Sequence, residues 1–167
     1  AQGQLEWGTA LRIMSLPPAC PDMPAYKPLC DAAAALLQEE LGDLEVVCTD
    51  SETKWPKLLQ LPYTGLLQLL LNKQTRVARE NTVVYVIARW AVAQQPQPSL
   101  QQMQQLCDTI HILHCTPLYT AMVLPAWPLL AQCFTPQELA LANMLATSAV
   151  AMAGLRRVAV AAGLAAD

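Results

Sequence analysis

Apolar residues recur along this chain three and four positions apart, in one segment after another, with proline, glycine or short polar runs between the segments. A face that returns about every 3.6 residues marks an amphipathic helix. Leu5 to Leu16 predicts a first short helix ended by Pro17 and Pro18. Proline fixes φ and restricts the residue before it, so 17–24 predicts a rigid connector. A second helix is predicted from Lys27 and Pro28, where proline suits the first turn, to Leu41, with Gly42 as its stop. Its expected apolar stripe is Leu29, Ala32, Ala33, Leu36, Leu37 and Leu41, leaving Lys27, Asp31, Gln38 and Glu39 to water.

Beyond Gly42 the segments shorten. Asp43 to Cys48 predicts one turn or a short helix, and Thr49, Asp50 and Ser51 form a polar break. Glu52 to Leu61 predicts a helix holding Trp55–Pro56. Pro62 to Asn72 is almost wholly apolar, as expected of a helix in the middle of a core. Lys73 to Arg79 reads as a connector with Val77 and Ala78 extended. Val83, Val84, Ile87 and Trp90 then fit one face of a helix from Glu80 to Gln94, which the run Gln95 to Pro98 ends.

Ser99 with Gln102 makes a capping box, opening a helix that carries Leu100, Met103, Leu106, Cys107 and Ile110. Residues 111–116 predict a turn. Short helices follow over Pro117 to Val123 and Trp127 to Cys133, with Pro125 between them. Thr135, Pro136 and Glu138 combine an N-cap, a first-turn proline and a carboxylate that reaches back. That start predicts a helix persisting to about Ala153, before an Ala- and Val-rich end.

Ala, Leu, Gln and Met favour helix, and β-branched or aromatic runs of strand length are nearly missing. The expected fold class is therefore all-α, an antiparallel helix-pair bundle or short solenoid. The 167 residues suffice for one domain with a core that needs no disulfide or metal. The expected division is 1–24 (first helix and Pro-rich connector), 25–153 (helical domain) and 154–167 (C-terminal tail).

Charge narrows the partners. The formal net charge is -3, with ten Lys and Arg, and no basic cluster exceeds Arg156–Arg157. Nucleic-acid binding needs several converging cations, so none is expected. The most apolar stretch, Leu139 to Ala166, contains Asn143, Gly154, Arg156 and Arg157, whereas a membrane span needs about 20 continuous apolar residues. No membrane partner is expected either.

The residues able to carry chemistry are few. Six cysteines at 20, 30, 48, 107, 115 and 133 show no Cys-x-x-Cys, and read as small buried thiols in a reducing compartment rather than disulfides. His111, His114 and Cys115 offer metal-ligating types at close spacing, but a tetrahedral site needs a fourth ligand and no second pair exists. The alternative is a helix end whose apolar members pack inward. Cys107 stands four residues before His111, but nothing indicates a third residue to orient such a dyad. Glu39, Glu40, Asp43 and Glu45 read as a solvated helix end, and the six glycines never cluster into a phosphate loop. No enzyme activity, cofactor or metal is expected. Among the tryptophans, Trp90 predicts a packed core residue. Trp55 and Trp127, each followed by proline, are candidate binding hot spots, with local packing under a loop as the alternative.

One block carries more information than periodicity. The run Glu80-Asn81-Thr82-Val83-Val84-Tyr85 with Arg89–Trp90, after Leu58 to Leu71 and its Leu61–Pro62 pair, resembles the centre of a BACK domain. This is the helical module that follows a BTB domain in many substrate adaptors of cullin-3 ubiquitin ligases, and the plant light-response BTB proteins are the most similar branch. Ala10 to Pro17 and Leu29 to Leu41 stand for its opening helices, and Ile110 to Leu124 with Glu138 to Ala146 for its last pair. Where that family commonly has a capping Ser, this chain has Arg79.

The resemblance implies an interaction scaffold acting in nucleus or cytoplasm, with cullin-3 and a substrate protein as partners. A homodimer is implied only where an upstream BTB domain is present, and a chain opening on Ala rather than Met is expected to be a fragment or a processed product. Leu11, Leu36 and Leu37, in the region that adds to cullin binding in related adaptors, join Trp55 and Trp127 as expected partner-binding residues. The alternative reading is a helical structural subunit of a large assembly with no ubiquitin role.

Overall fold

Helices form where the periodic segments put them. The computed structural model describes residues 5–148 apart from Pro18 and Ala146, together with a backbone-only view of Pro21. Within those residues the fold is all-α, and the one β-type contact is an isolated parallel bridge between Asp43 and Arg76. The tail expected at 154–167, and the end of the last helix, lie outside the described residues.

Helix α1 (Trp7–Met14) lies along α2 (Lys27–Leu41), burying Ala10 and Met14. The Thr64 hydroxyl donates to the Met14 carbonyl, satisfying one of the carbonyls a helix end leaves open. Ala10 and Met14 thus belong to the same buried cluster as Ala33, Leu37 and Leu66. In α2 the buried stripe is Cys30, Ala33, Leu37 and Leu41, whereas Leu29 and Ala32 are exposed and Leu36 is half-buried. The expected stripe was set too far round the helix, because the apolar residues span nearly two faces and α1 covers only one. Gly42 ends α2 at φ -68°, in ordinary right-handed territory. Space explains it: a Cβ there would overlap the carbonyl and side-chain amide of Gln38.

Helices α3 (Leu44–Thr49) and α4 (Lys54–Leu59) form a short pair, the first capped by the Asp43 carboxylate on the Val46 N–H at 3.1 Å. Helix α5 (Tyr63–Leu71) buries Gly65, Leu66 and Leu69. Its apolar composition predicted burial all round, but Gln68 and Leu71 are exposed and Leu67 and Leu70 only half-buried. Helix α6 (Glu80–Ala93) takes the central place, with Val83, Val84, Val86, Ile87, Ala88, Trp90 and Ala91 all buried. Helix α7 (Leu100–Cys107) has the predicted Ser99–Gln102 capping box; it buries Met103, Leu106 and Cys107 but exposes Leu100.

The proline-punctuated stretch after α7 makes shorter elements than predicted. A 3-10 turn covers Ile112–His114, a π-helical turn Tyr119–Val123, and a second 3-10 turn Leu124–Ala126. Then comes the one-turn α8 (Pro128–Ala131). Proline at 117, 125 and 128 removes donors from the i→i−4 ladder, so no regular helix propagates. The last helix, α9 (136–145), opens with the predicted reciprocal pair. The Thr135 N–H donates to Glu138 Oε2 at 2.7 Å, and the Glu138 N–H to Thr135 Oγ1 at 3.2 Å. The Thr135 N–H and hydroxyl, both donating to the ionised carboxylate, hold the Glu138 carboxyl below its ordinary range.

Candidate interaction surface

The block 77–90 is fastened at both ends by polar contacts that its own side chains make. Near the start of α6, Glu80 Oε1 accepts the His111 backbone N–H at 2.8 Å. Asn81 bonds Thr116 twice, its Oδ1 accepting the backbone N–H at 3.0 Å and its Nδ2 donating to the hydroxyl at 3.1 Å. Thr82 donates to Glu45 Oε1 at 2.7 Å, and the Ala78 N–H donates to the same oxygen at 3.2 Å. Towards the other end, the buried Trp90 indole N–H donates to the Leu61 carbonyl at 2.8 Å. Gln94 Nε2 donates to the Leu59 carbonyl, also at 2.8 Å. Glu80, Asn81 and Thr82 therefore tie α6 to α3 and to 111–116, and Trp90 and Gln94 tie it to the α4–α5 junction.

Fixing one side of α6 aims the other outward. Tyr85 is 37% exposed, and Arg89 and Val92 are exposed beyond it, at i, i+4 and i+7. The Trp55 ring of α4 stacks on Tyr85 with centroids 5.6 Å apart and planes at 25°. The Arg89 guanidinium lies 6.0 Å from the Tyr85 ring centroid. Three aromatic or cationic side chains from two helices thus form one shelf. Burial raises the phenol of half-buried Tyr119, with Cys115, Tyr85 and Cys48 adding. Leu118 and Met122, on either side of Tyr119 in sequence, are among the most exposed apolar residues described.

Of the five expected partner-binding residues, Trp55 stands on this shelf. Like Trp55, Trp127 is half-buried and packs against the core, here at the N-cap of α8. Leu11 and Leu36 are half-buried and also packed on the core. Leu37 is corrected: at 1% exposure it is a core residue with no surface to offer a partner. Tyr85 and Arg89 were missed. The signal that could have found them is their i, i+4 spacing, out of phase with the buried valines of the same helix.

The groups considered for catalysis or metal sit otherwise. Burial pushes the Cys107 thiol far up, with Cys133 and Asp108 adding. Burial likewise lifts Cys115 to about 12, with Glu80 adding, and Cys48 to about 11, with Glu45 adding. All six cysteines are free thiols. The His111 and His114 rings stack at 5.8 Å, and Cys115 is buried. Among the described residues no three His, Cys, Asp or Glu side chains are grouped to hold a metal ion. An open groove is lined mainly by polar groups, among them Gln38, Glu39, Asp43, Lys73, Thr75 and Arg76. No described helix is long and apolar enough to cross a membrane. No family model, curated protein or solved structure matches the chain.

Proposed function

We propose that this chain is a non-enzymatic interaction scaffold, the BACK part of a BTB-BACK substrate adaptor for a cullin-3 ubiquitin ligase, acting in nucleus or cytoplasm. The observation that carries the reading is the fastening of the Glu80–Trp90 block. Glu80, Asn81, Thr82 and Trp90 of the quoted motif hold α6 to α3, to the α4–α5 junction and to 111–116, so that α6 is fixed along its length. A body of this kind sets the distance between what is bound at its two ends. The raised Cys107 and Cys115 thiols disfavour one alternative, a cysteine nucleophile, which needs its thiolate favoured.

The test is recovery of cullin-3 with the full-length protein. Recovery supports the adaptor reading. Failure to recover cullin-3, with an intact BTB domain present, overturns it in favour of a structural subunit without a ubiquitin role.

A further inference from the structure

The geometry points to the Trp55–Tyr85–Arg89 shelf as the docking site for an acidic peptide segment of a partner protein, with an apolar or aromatic residue of that segment seated on the rings. This deepens the scaffold reading and rests on it. Trp, Tyr and Arg are the residue types that most often dominate protein–protein binding energy, and here they are assembled before any partner arrives. The stack holds both rings in place, so little side-chain freedom remains to be lost on binding.

Charge selects the occupant. Among the described residues Arg89 has no carboxylate within 4.0 Å and makes no hydrogen bond, although it is exposed. The one acid on α6, Glu80, is at the opposite end, occupied by the His111 N–H. Of the other charges near Trp55, the exposed Glu52 carboxylate has no hydrogen bond or ion pair among the described residues, and the rest are engaged. Asp50 accepts the Thr53 N–H at 2.9 Å, Lys54 donates to the Glu40 carbonyl at 2.7 Å, and Lys57 pairs with Glu40 at 2.7 Å. Arg89 therefore presents a planar fork of donors suited to a carboxylate, backed by aromatic surface. Stacked rings with an arginine also suit single-stranded nucleic acid. That occupant is disfavoured, because tracking a phosphate backbone requires several cations and this face supplies one.

The experiment uses the full chain on an array of immobilised peptides graded from acidic to basic around Leu, Phe or Trp anchors, with a single-stranded oligonucleotide as a further probe. Wild type is expected to bind acidic members preferentially and more weakly as salt rises. Arg89→Glu is expected to lose roughly 30-fold in affinity for those members, the loss typical of a hot-spot residue. Arg89→Lys, which keeps the charge but not the fork, should fall between, and Trp55→Ala should weaken binding without changing the charge preference. No acidic preference in wild type, preferential oligonucleotide binding, or full binding by Arg89→Glu overturns the assignment. Recovering cullin-3 with Arg89→Glu separates the two readings. Cullin-3 retained while peptides never bind removes this site and leaves the adaptor reading standing.

Discussion

Trp90 is the residue on which the packing of α6 depends most, and the cost of removing it can be worked out in two ways. The side chain is 1% exposed and its indole N–H donates to the Leu61 carbonyl at 2.8 Å. A tryptophan buries about 150–250 Å², which at about 25 cal/mol per Å² gives about 4–6 kcal/mol as an upper bound. Large aromatic-to-alanine changes in cores cost about 3–5 kcal/mol, so the two routes agree. In a chain of this size that lowers the thermal midpoint by about 6–20 °C. Trp90→Phe keeps most of the apolar volume but withdraws the indole donor from the Leu61 carbonyl, adding about 1–3 kcal/mol of its own. Calorimetry of wild type, Trp90→Phe and Trp90→Ala should give midpoints falling in that order. An alanine variant melting within about 2 °C of wild type would show that the indole contributes little to the core.

Four further outcomes follow from the same contacts. Arg79 occupies the N-cap of α6 in extended conformation without a side-chain cap, so Arg79→Ser should raise stability by about 1 kcal/mol in urea unfolding, and a fall would contradict it. Gly42→Ala should destabilise by about 1–3 kcal/mol because Gln38 has to move, whereas Gly65→Ala meets only ordinary contacts near 3.4–3.5 Å and should gain about 0.5–1 kcal/mol; equal effects in chemical unfolding would refute the spatial argument. Asn81→Ala removes both bonds to Thr116 and should speed hydrogen exchange at the Thr116 amide far more than at α2 amides. The Cys48 and Cys115 thiols rise from 9.0 to about 11 and about 12. Folding then favours their protonated forms, so stability is fully present below pH 9, declines as pH climbs through the folded values, and melts across that window should show the decline.

Local signals were the legible ones. Both capping pairs, Ser99 with Gln102 and Thr135 with Glu138, could be read directly because both partners lie within one turn. The burial of Trp90 was legible from its place on the apolar face of α6. Helix phase was less so. With alanine or leucine at most positions of α2, periodicity did not settle which stripe faces inward, and α1 chose Cys30, Ala33, Leu37 and Leu41. The shelf was the least legible part. Trp55 and Tyr85 lie thirty positions apart in sequence and meet only because α3 and α4 pack on α6. Nothing local announces such a meeting. The π-helical turn at Tyr119–Val123 is likewise set by its setting, where buried Thr120 bonds back to the Pro117 carbonyl at 3.1 Å and across to Asn143.

The function proposed for this helical body, organised around α6, is to bind other proteins. Its most direct test is affinity purification of the full-length protein, wild type beside a Trp55→Ala/Arg89→Glu double variant, with cullin-3 and co-purifying proteins quantified. The account predicts cullin-3 with both, and a substrate protein with wild type alone. Cullin-3 absent from both, with an intact BTB domain present, would contradict it, whereas a substrate held equally by the double variant would remove only the Trp55–Tyr85–Arg89 shelf.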